Sequence, residues 1–412
     1  MCAYNSNNVF CTARLTSGIR ALVMRSQSPV TYAGFMINAG SRDENSSEFG
    51  LAHFIEHCLF KGTQNRSNRQ IIDRIENVGG EINAYTTKEE TALYCCLLNT
   101  YVERAIELMT DMLLRSTFPP QELDHERQVI LEEIDSYKDN PAEQVYDDFE
   151  EYVYNGHELA HNILGTSRNV RRFTGDDATS FMQRNYHSDG IVFFCYTSLE
   201  PERVMNWVEK YFYKVPYTNP RHGRNAPQKC CRGSHIGVMR HHQAHCVMGN
   251  VAADMLSNDW YATNLLNNII AGPGMNSRLN LLLREKHGLV YTVESSLVSF
   301  TDTGLWSVYF GCDRNDVEKC VKLITESLDE LCQKPLGERT LQRYKTQIRG
   351  QLAIASENAE NVILSYAKNF LHRCELSTWS EVAEYYDAIS AARLQEIAQK
   401  TVNPAMLSAI AL

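Results

Sequence analysis

The chain has 412 residues, 43% hydrophobic and 22% charged, which excludes a disordered or fibrous protein and leaves room for more than one core. A formal net charge of -10 argues against a phosphate-binding surface, so nucleic acid is not expected as a partner. No stretch approaches the roughly twenty apolar residues of a membrane span. The N-terminal region also lacks the apolar core of a secretory signal. The chain is therefore read as cytoplasmic and without membrane contact, and its 13 scattered cysteines as reduced, mostly buried thiols.

In chain order, a strand over 30–39 is the first clear element. A helix follows, with Ser46 and Ser47 able to cap it and Gly62 able to end it. Leu51, Ala52, Phe54, Ile55, Cys58, Leu59 and Phe60 spread around nearly its whole circumference, so this helix should be buried. It carries His53, Glu56 and His57 inward, and burying them costs several kcal/mol unless each is paired or bound to a metal. Residues four apart share a helix face, so His53 and His57 can present two imidazoles to one ion with Glu56 beside it. His-x-x-Glu-His is the inverted form of a zinc-peptidase motif.

A strand pair and then long helices come next, and the helix between Pro119-Pro120 and Asn140-Pro141 offers a third ligand. Leu123, Ile130, Ile134 and Tyr137 form its apolar stripe. At about 100° per residue, Glu126 and Glu133 fall on the edge of that stripe, about 20° apart, whereas Glu132 points almost the opposite way. Glu133 is the expected ligand and Glu126 a carboxylate that orients a ligand or water. The competing reading is that both are helix carboxylates paired with buried Arg or Lys. Two imidazoles and a carboxylate suit a zinc ion with one open position, and Glu56 is then the base that takes a proton from water and returns it to the leaving amine.

From 215 to 233 the pattern lapses into Pro216, Asn219-Pro220, Gly223, Pro227 and basic residues, which reads as a linker. Beyond it the order of elements recurs. Glu103-Arg-Ala-Ile-Glu-Leu-Met-Thr-Asp-Met-Leu113 has a counterpart in Glu318-Lys-Cys-Val-Lys-Leu-Ile-Thr-Glu-Ser-Leu328. The expected domains are 1–214 and 235–412, joined by 215–234.

Three rival signals are weaker. His157-Glu158-Leu159-Ala160-His161 formally matches His-Glu-x-x-His, but Asn155-Gly156 and Gly165 leave no room for a ligand helix. His241, His242 and His245 lie on strand-like sequence, with a solvated face as the expectation. Cys58 has apolar neighbours and reads as an inert core thiol.

His53-Phe-Ile-Glu-His-Cys-Leu-Phe-Lys-Gly-Thr63, with Glu133 lying 76 positions beyond His57, resembles the M16 zinc metallopeptidases: pitrilysin, insulin-degrading enzyme and the mitochondrial processing peptidase. The resemblance continues through Gly79-Gly80-Glu81-Ile82-Asn83-Ala84-Tyr85-Thr86 and Glu126-Arg-Gln-Val-Ile-Leu-Glu-Glu133. It extends to Asn276-Ser277-Arg278-Leu279 and Arg284-Glu-Lys-His-Gly-Leu-Val-Tyr291. It implies an α+β chain of two homologous α/β domains, each a mixed sheet covered by helices, together forming half of a clamshell peptidase chamber.

It further implies one Zn2+ per chain on His53, His57 and Glu133, with Glu56 as base and Glu126 as supporting carboxylate. Asn83 and Ala84 would lie on an edge strand that pairs with substrate, and Arg284 and Tyr291 would reach the substrate. Without the family pattern, these last two read as an exposed Arg and a core Tyr. The expected function is endoproteolysis of peptides or small unfolded polypeptides by a half-length, bacterial-type member working as a homodimer. The alternative is a non-catalytic structural or partner subunit of an M16-type complex.

Overall fold

The structure is a computed structural model describing residues 3–4, 9–218, 223–228, 230–236 and 243–412. The first half of the chain runs β1 (Ala3–Tyr4), β2 (Phe10–Arg14), β3 (Arg20–Arg25), β4 (Val30–Ile37), α1 (Leu51–Cys58), α2 (Asn68–Glu76), β5 (Glu81–Thr86) and β6 (Thr91–Leu98). It continues through α3 (Val102–Arg115), α4 (Pro120–Lys138), α5 (Pro141–Val153), α6 (Ser167–Val170), α7 (Gly175–Asn185), β7 (Ile191–Thr197) and α8 (Pro201–Phe212). The second half opens with β8 (Gly233–Ile236), β9 (Gln243–Ala252), α9 (Trp260–Ala271), β10 (Val290–Ser299) and β11 (Gly304–Asp313). It ends with α10 (Val317–Gln333), α11 (Glu338–Ala355), α12 (Ala359–Arg373), α13 (Trp379–Asp387), α14 (Ala391–Thr401) and β12 (Ser408–Ala411). No helix among the described residues is long and apolar enough to cross a membrane.

The residues gather into two units, Met1–Asp135 with Asn162–Arg224 and Ala355–Leu376, and Ser136–His161 with Asn225–Ile354 and Ser377–Leu412. In the first unit, a mixed sheet runs β1-β2-β3-β7-β4-β6-β5, with β3 and β7 parallel and the other pairs antiparallel. Alternation sends Ala21, Val23, Phe193 and Cys195 to one face, where they meet Leu51 and Phe54 of α1, Ile106 and Met109 of α3, and Val204 and Val208 of α8. Leu22, Met24, Val192 and Phe194 point to the other face, against Ile363, Ala367, Phe370 and Leu371 of α12. With both faces covered, β7 reads Ile-Val-Phe-Phe-Cys-Tyr-Thr without polar alternation.

In the second unit the order is β10-β11-β9-β12-β8, with β12 and β8 parallel. Cys246, Met248, Trp306, Val308 and Phe310 pack on α9, α10 and α14. Val247, Leu305, Tyr309 and Ile410 face Val145, Phe149 and Val153 of α5. This differs from the sequence division at 215–234, because α5 joins the second unit and α12 the first. Val145, Phe149 and Val153 repeat every four residues, one stripe that is fully buried only against a sheet face.

A buried ion network holds α12 on the hairpin between β5 and β6. Glu90 accepts from His372 Nε2 at 2.6 Å and from Thr87 Oγ1 at 2.5 Å, with Lys368 Nζ at 3.1 Å. Burial alone would raise its pKa, but His372 and Lys368 outweigh it and hold the carboxyl down at about 2, against an ordinary 4.5. A depressed carboxyl stabilises the fold fully above its ordinary value, and that contribution, about 3 kcal/mol, fades as pH falls towards 2. Urea unfolding of Glu90→Gln should therefore fall about 3 kcal/mol short of the parent at pH 7 and converge with it near pH 2. A gap that stays constant with pH would contradict this.

Candidate metal centre

Helix α1 starts at Gly50, whose φ of 98° is left-handed, and the Glu44 carboxylate accepts from the N–H groups of Gly50 at 2.9 Å and Ala52 at 2.7 Å. Glu44 thus caps the helix in place of the expected Ser46 and Ser47. Burial raises its carboxyl well above the ordinary range against the pull of those two donors. A Cβ on Gly165, at φ +68°, would lie 2.0 Å from the Phe49 carbonyl oxygen, so this loop packs backbone to backbone on the start of α1. The regular helix closes at Cys58, short of Gly62, with Leu51, Ala52, Phe54, Ile55 and Cys58 buried as its all-round apolar pattern requires.

His53 Nε2 and His57 Nε2 each lie 3.7 Å from the same oxygen, Glu133 Oε2. The ligand atoms of these three residues all fall within 4.8 Å of one another. A tetrahedral zinc with bonds of about 2.0–2.2 Å sets its ligands about 3.4 Å apart, so the trio fits such an ion. The chemistry of the His53 donor agrees. Burial, then His57, pushes His53 down to about 3, which keeps its imidazole neutral as a metal ligand must be. His53 Nδ1 is buried without a hydrogen-bond partner among the described residues, so only what meets Nε2 can offset the cost of burying the ring. Glu133 is 44% exposed in its side chain and forms the open side of the centre.

The surrounding groups orient these donors. His57 Nδ1 lies 3.1 Å from Glu126 Oε2, which leaves Nε2 free to face Glu133. Glu126 Oε1 is 2.5 Å from Lys61 Nζ. Burial works to raise Glu126 but is outweighed by His57 and Lys61, which hold it below the ordinary value. Burial works to lower His57 but is outweighed by Glu126, Glu56 and Glu133, which raise it. Glu56 is raised by burial, partly countered by Thr86 at the end of β5 and by His57.

Glu89, Glu90 and His372 form a second convergence, but Arg42 Nη1 at 2.6 Å from Glu89 and Lys368 beside Glu90 already neutralise the carboxylates. The His157 string lies beyond the end of α5 at Val153 and is not helical, so the four-residue spacing does not place His157 and His161 on one face. His245 is not on a solvated face: it is buried on β9 with Nδ1 2.8 Å from the Tyr309 hydroxyl. His241 and His242 lie outside the described residues. Burial pushes the Cys58 thiol far up, consistent with an inert core group.

Asn83 and Ala84 lie on β5, which pairs with β6 through Asn83↔Tyr94 and Ala84↔Leu93 and ends the sheet, leaving its other edge open among the described residues. Arg284 and Tyr291 belong to the second unit. Arg284 is exposed in a π-helical segment, Asn280–Lys286, and Tyr291 sits at the register shift between Val290 and Thr292 of β10, 76% exposed. Tyr291 is therefore not a core residue, because the bulge turns its ring out of the sheet.

Residues 20–167, which contain the whole trio, match the family model described as insulinase, peptidase family M16, and residues 172–348 match that of the peptidase M16 inactive domain. A Bacillus subtilis protein named uncharacterized zinc protease YmxG is 30% identical over 389 residues, 93% of each chain. The chain belongs to the M16 zinc metallopeptidase family. A mitochondrial-processing peptidase subunit beta of Neurospora crassa is 28% identical to this M16 chain over 384 residues, 90% of this chain and 80% of the other. A peptidase M16 inactive domain from Pseudomonas fluorescens shares the fold, with a TM-score of 0.89, 18% identity and coverage of 98% of this chain and 97% of that one.

Sequence reasoning assigned no role to Glu44, Lys61 or Thr86 in the M16 chain. The signal for Lys61 was its place four residues after His57, one helical turn along. Zinc titration of the metal-stripped chain should saturate at one ion per chain, and His53→Ala or Glu133→Ala should weaken binding at least about 100-fold with helix content unchanged. Undiminished affinity in either variant would exclude that residue as a ligand.

Proposed function

We propose that this chain is a zinc endopeptidase that hydrolyses peptides or small unfolded polypeptides, with His53, His57 and Glu133 as ligands and Glu56 as general base. The observation that carries it is the placement of two imidazole Nε2 atoms at the same 3.7 Å from one Glu133 oxygen. Zinc, when bound there, supplies a Lewis acid that acidifies water and polarises a scissile carbonyl. Glu56, raised by burial, takes the proton of the attacking water and delivers it to the leaving amine. Glu126 fixes His57 in the tautomer that carries its proton on Nδ1 and offers Nε2.

Substrate pairs through its main chain with the open edge of β5 at Asn83 and Ala84, which tolerates many side chains and sets the chain beside Thr86 and Glu56. Arg284 and Tyr291, both exposed on irregular backbone, are assigned to substrate contact. Because one chain carries both the ligand set and this pair, the working form is proposed to be a homodimer that encloses its substrate.

Glu56→Gln should lower hydrolysis of a fluorogenic peptide by at least about 10³-fold while zinc content stays at that of the parent. Parental turnover in that variant removes the mechanism. Mixing Glu56→Gln chains with Arg284→Ala chains should recover activity that neither has alone. No recovery, with subunit exchange demonstrated by labelled chains, counts against the shared chamber.

A further inference from the structure

We propose that Lys61 is a positioning residue of the metal centre, holding the Glu126 carboxylate on His57 so that the imidazole keeps its ligand orientation. This rests on the reading of His53, His57 and Glu133 as zinc ligands. One carboxylate bridges two residues of the same segment: Oε2 is 3.1 Å from His57 Nδ1 and Oε1 is 2.5 Å from Lys61 Nζ. The Glu126 side chain is 5% exposed and that of Lys61 19%, so water competes weakly for either contact. Lys61 is brought round by the turn that closes α1, where its N–H donates to the Cys58 carbonyl at 3.0 Å.

The placement has a geometric and an electrostatic consequence. A carboxylate held at one oxygen only can swing about its last two torsions, and Glu126 projects from α4 onto a ring carried by α1. Lys61 occupies the second oxygen and removes that freedom. Three carboxylates, Glu56, Glu126 and Glu133, surround the divalent site, and with zinc bound the Lys61 ammonium brings the group to neutrality. Without Lys61 the Glu126 carboxylate, 5% exposed, has one oxygen without a partner.

If Lys61 acts through Glu126, the two must be coupled, which a residue that merely joins the two helices would not show for metal affinity. Zinc dissociation constants of the parent, Lys61→Met, Glu126→Gln and the double variant can be read by competition with a chromogenic chelator, with circular dichroism monitoring the fold. Lys61→Met should weaken zinc about 10-fold and Glu126→Gln about 10–100-fold. The double variant should be no weaker than Glu126→Gln alone. Lys61→Arg should stay within about threefold of the parent.

Parental affinity in Lys61→Met, or losses that multiply in the double variant, would overturn the assignment. Should Lys61→Met not fold, Lys61→Gln, which also lacks the charge, takes its place with the same expectation. A parent chain that binds no zinc overturns the metal reading itself, whereas tight parental binding with an unaffected Lys61 variant overturns only the role of Lys61.

Discussion

The burial of an all-round apolar helix that carries two histidines and a glutamate governs the rest of this site. Leaving such groups unpaired costs several kcal/mol, a large part of the roughly 5–15 kcal/mol by which a domain is stable. Several neighbours of α1 meet its buried polar groups. Glu44 takes the open N–H groups at its start, α4 brings Glu126 and Glu133 to one edge, and Thr86 lies beside Glu56. What this leaves is a buried His53 whose Nδ1 has no partner among the described residues and whose Nε2 faces Glu133, a donor set that suits a cation.

Local periodicity made much of this legible. The spread of apolar residues over 51–60 implied a buried helix, and a turn of about 100° per residue separated Glu126 and Glu133 from Glu132. In the structure Glu126 is buried, and Glu133 lies near both imidazoles. What escaped the sequence depends on contacts remote in the chain or on irregular backbone. The cap of α1 comes from a side chain six residues before Gly50 rather than from the adjacent serines. The crossing of α5 and α12 between units has no local signature, because an apolar stripe does not say which sheet it covers. Tyr291 was legible as a strand residue, but the bulge that exposes it was not.

The two halves share an order of elements. His53, His57 and Glu133 fall wholly within the segment that matches the insulinase model, and the segment that matches the inactive-domain model carries Arg284 and Tyr291 instead. In that second segment, the departures from regular structure, a π-helical turn and a bulge, are the places where exposed side chains are presented. Each sheet carries apolar residues on both faces, and the helix covering one of them comes from the other half of the chain, so neither half buries its own sheet by itself.

Thirteen cysteines, one of them beside His57, make sulfur the chemical rival for any bound zinc. X-ray absorption at the zinc edge of the loaded chain tests the account most directly. It predicts a first shell of nitrogen and oxygen alone at about 2.0–2.2 Å with the outer-shell scattering of two imidazoles. A sulfur shell at about 2.3 Å, or the absence of imidazole scattering, would contradict a centre built on His53, His57 and Glu133.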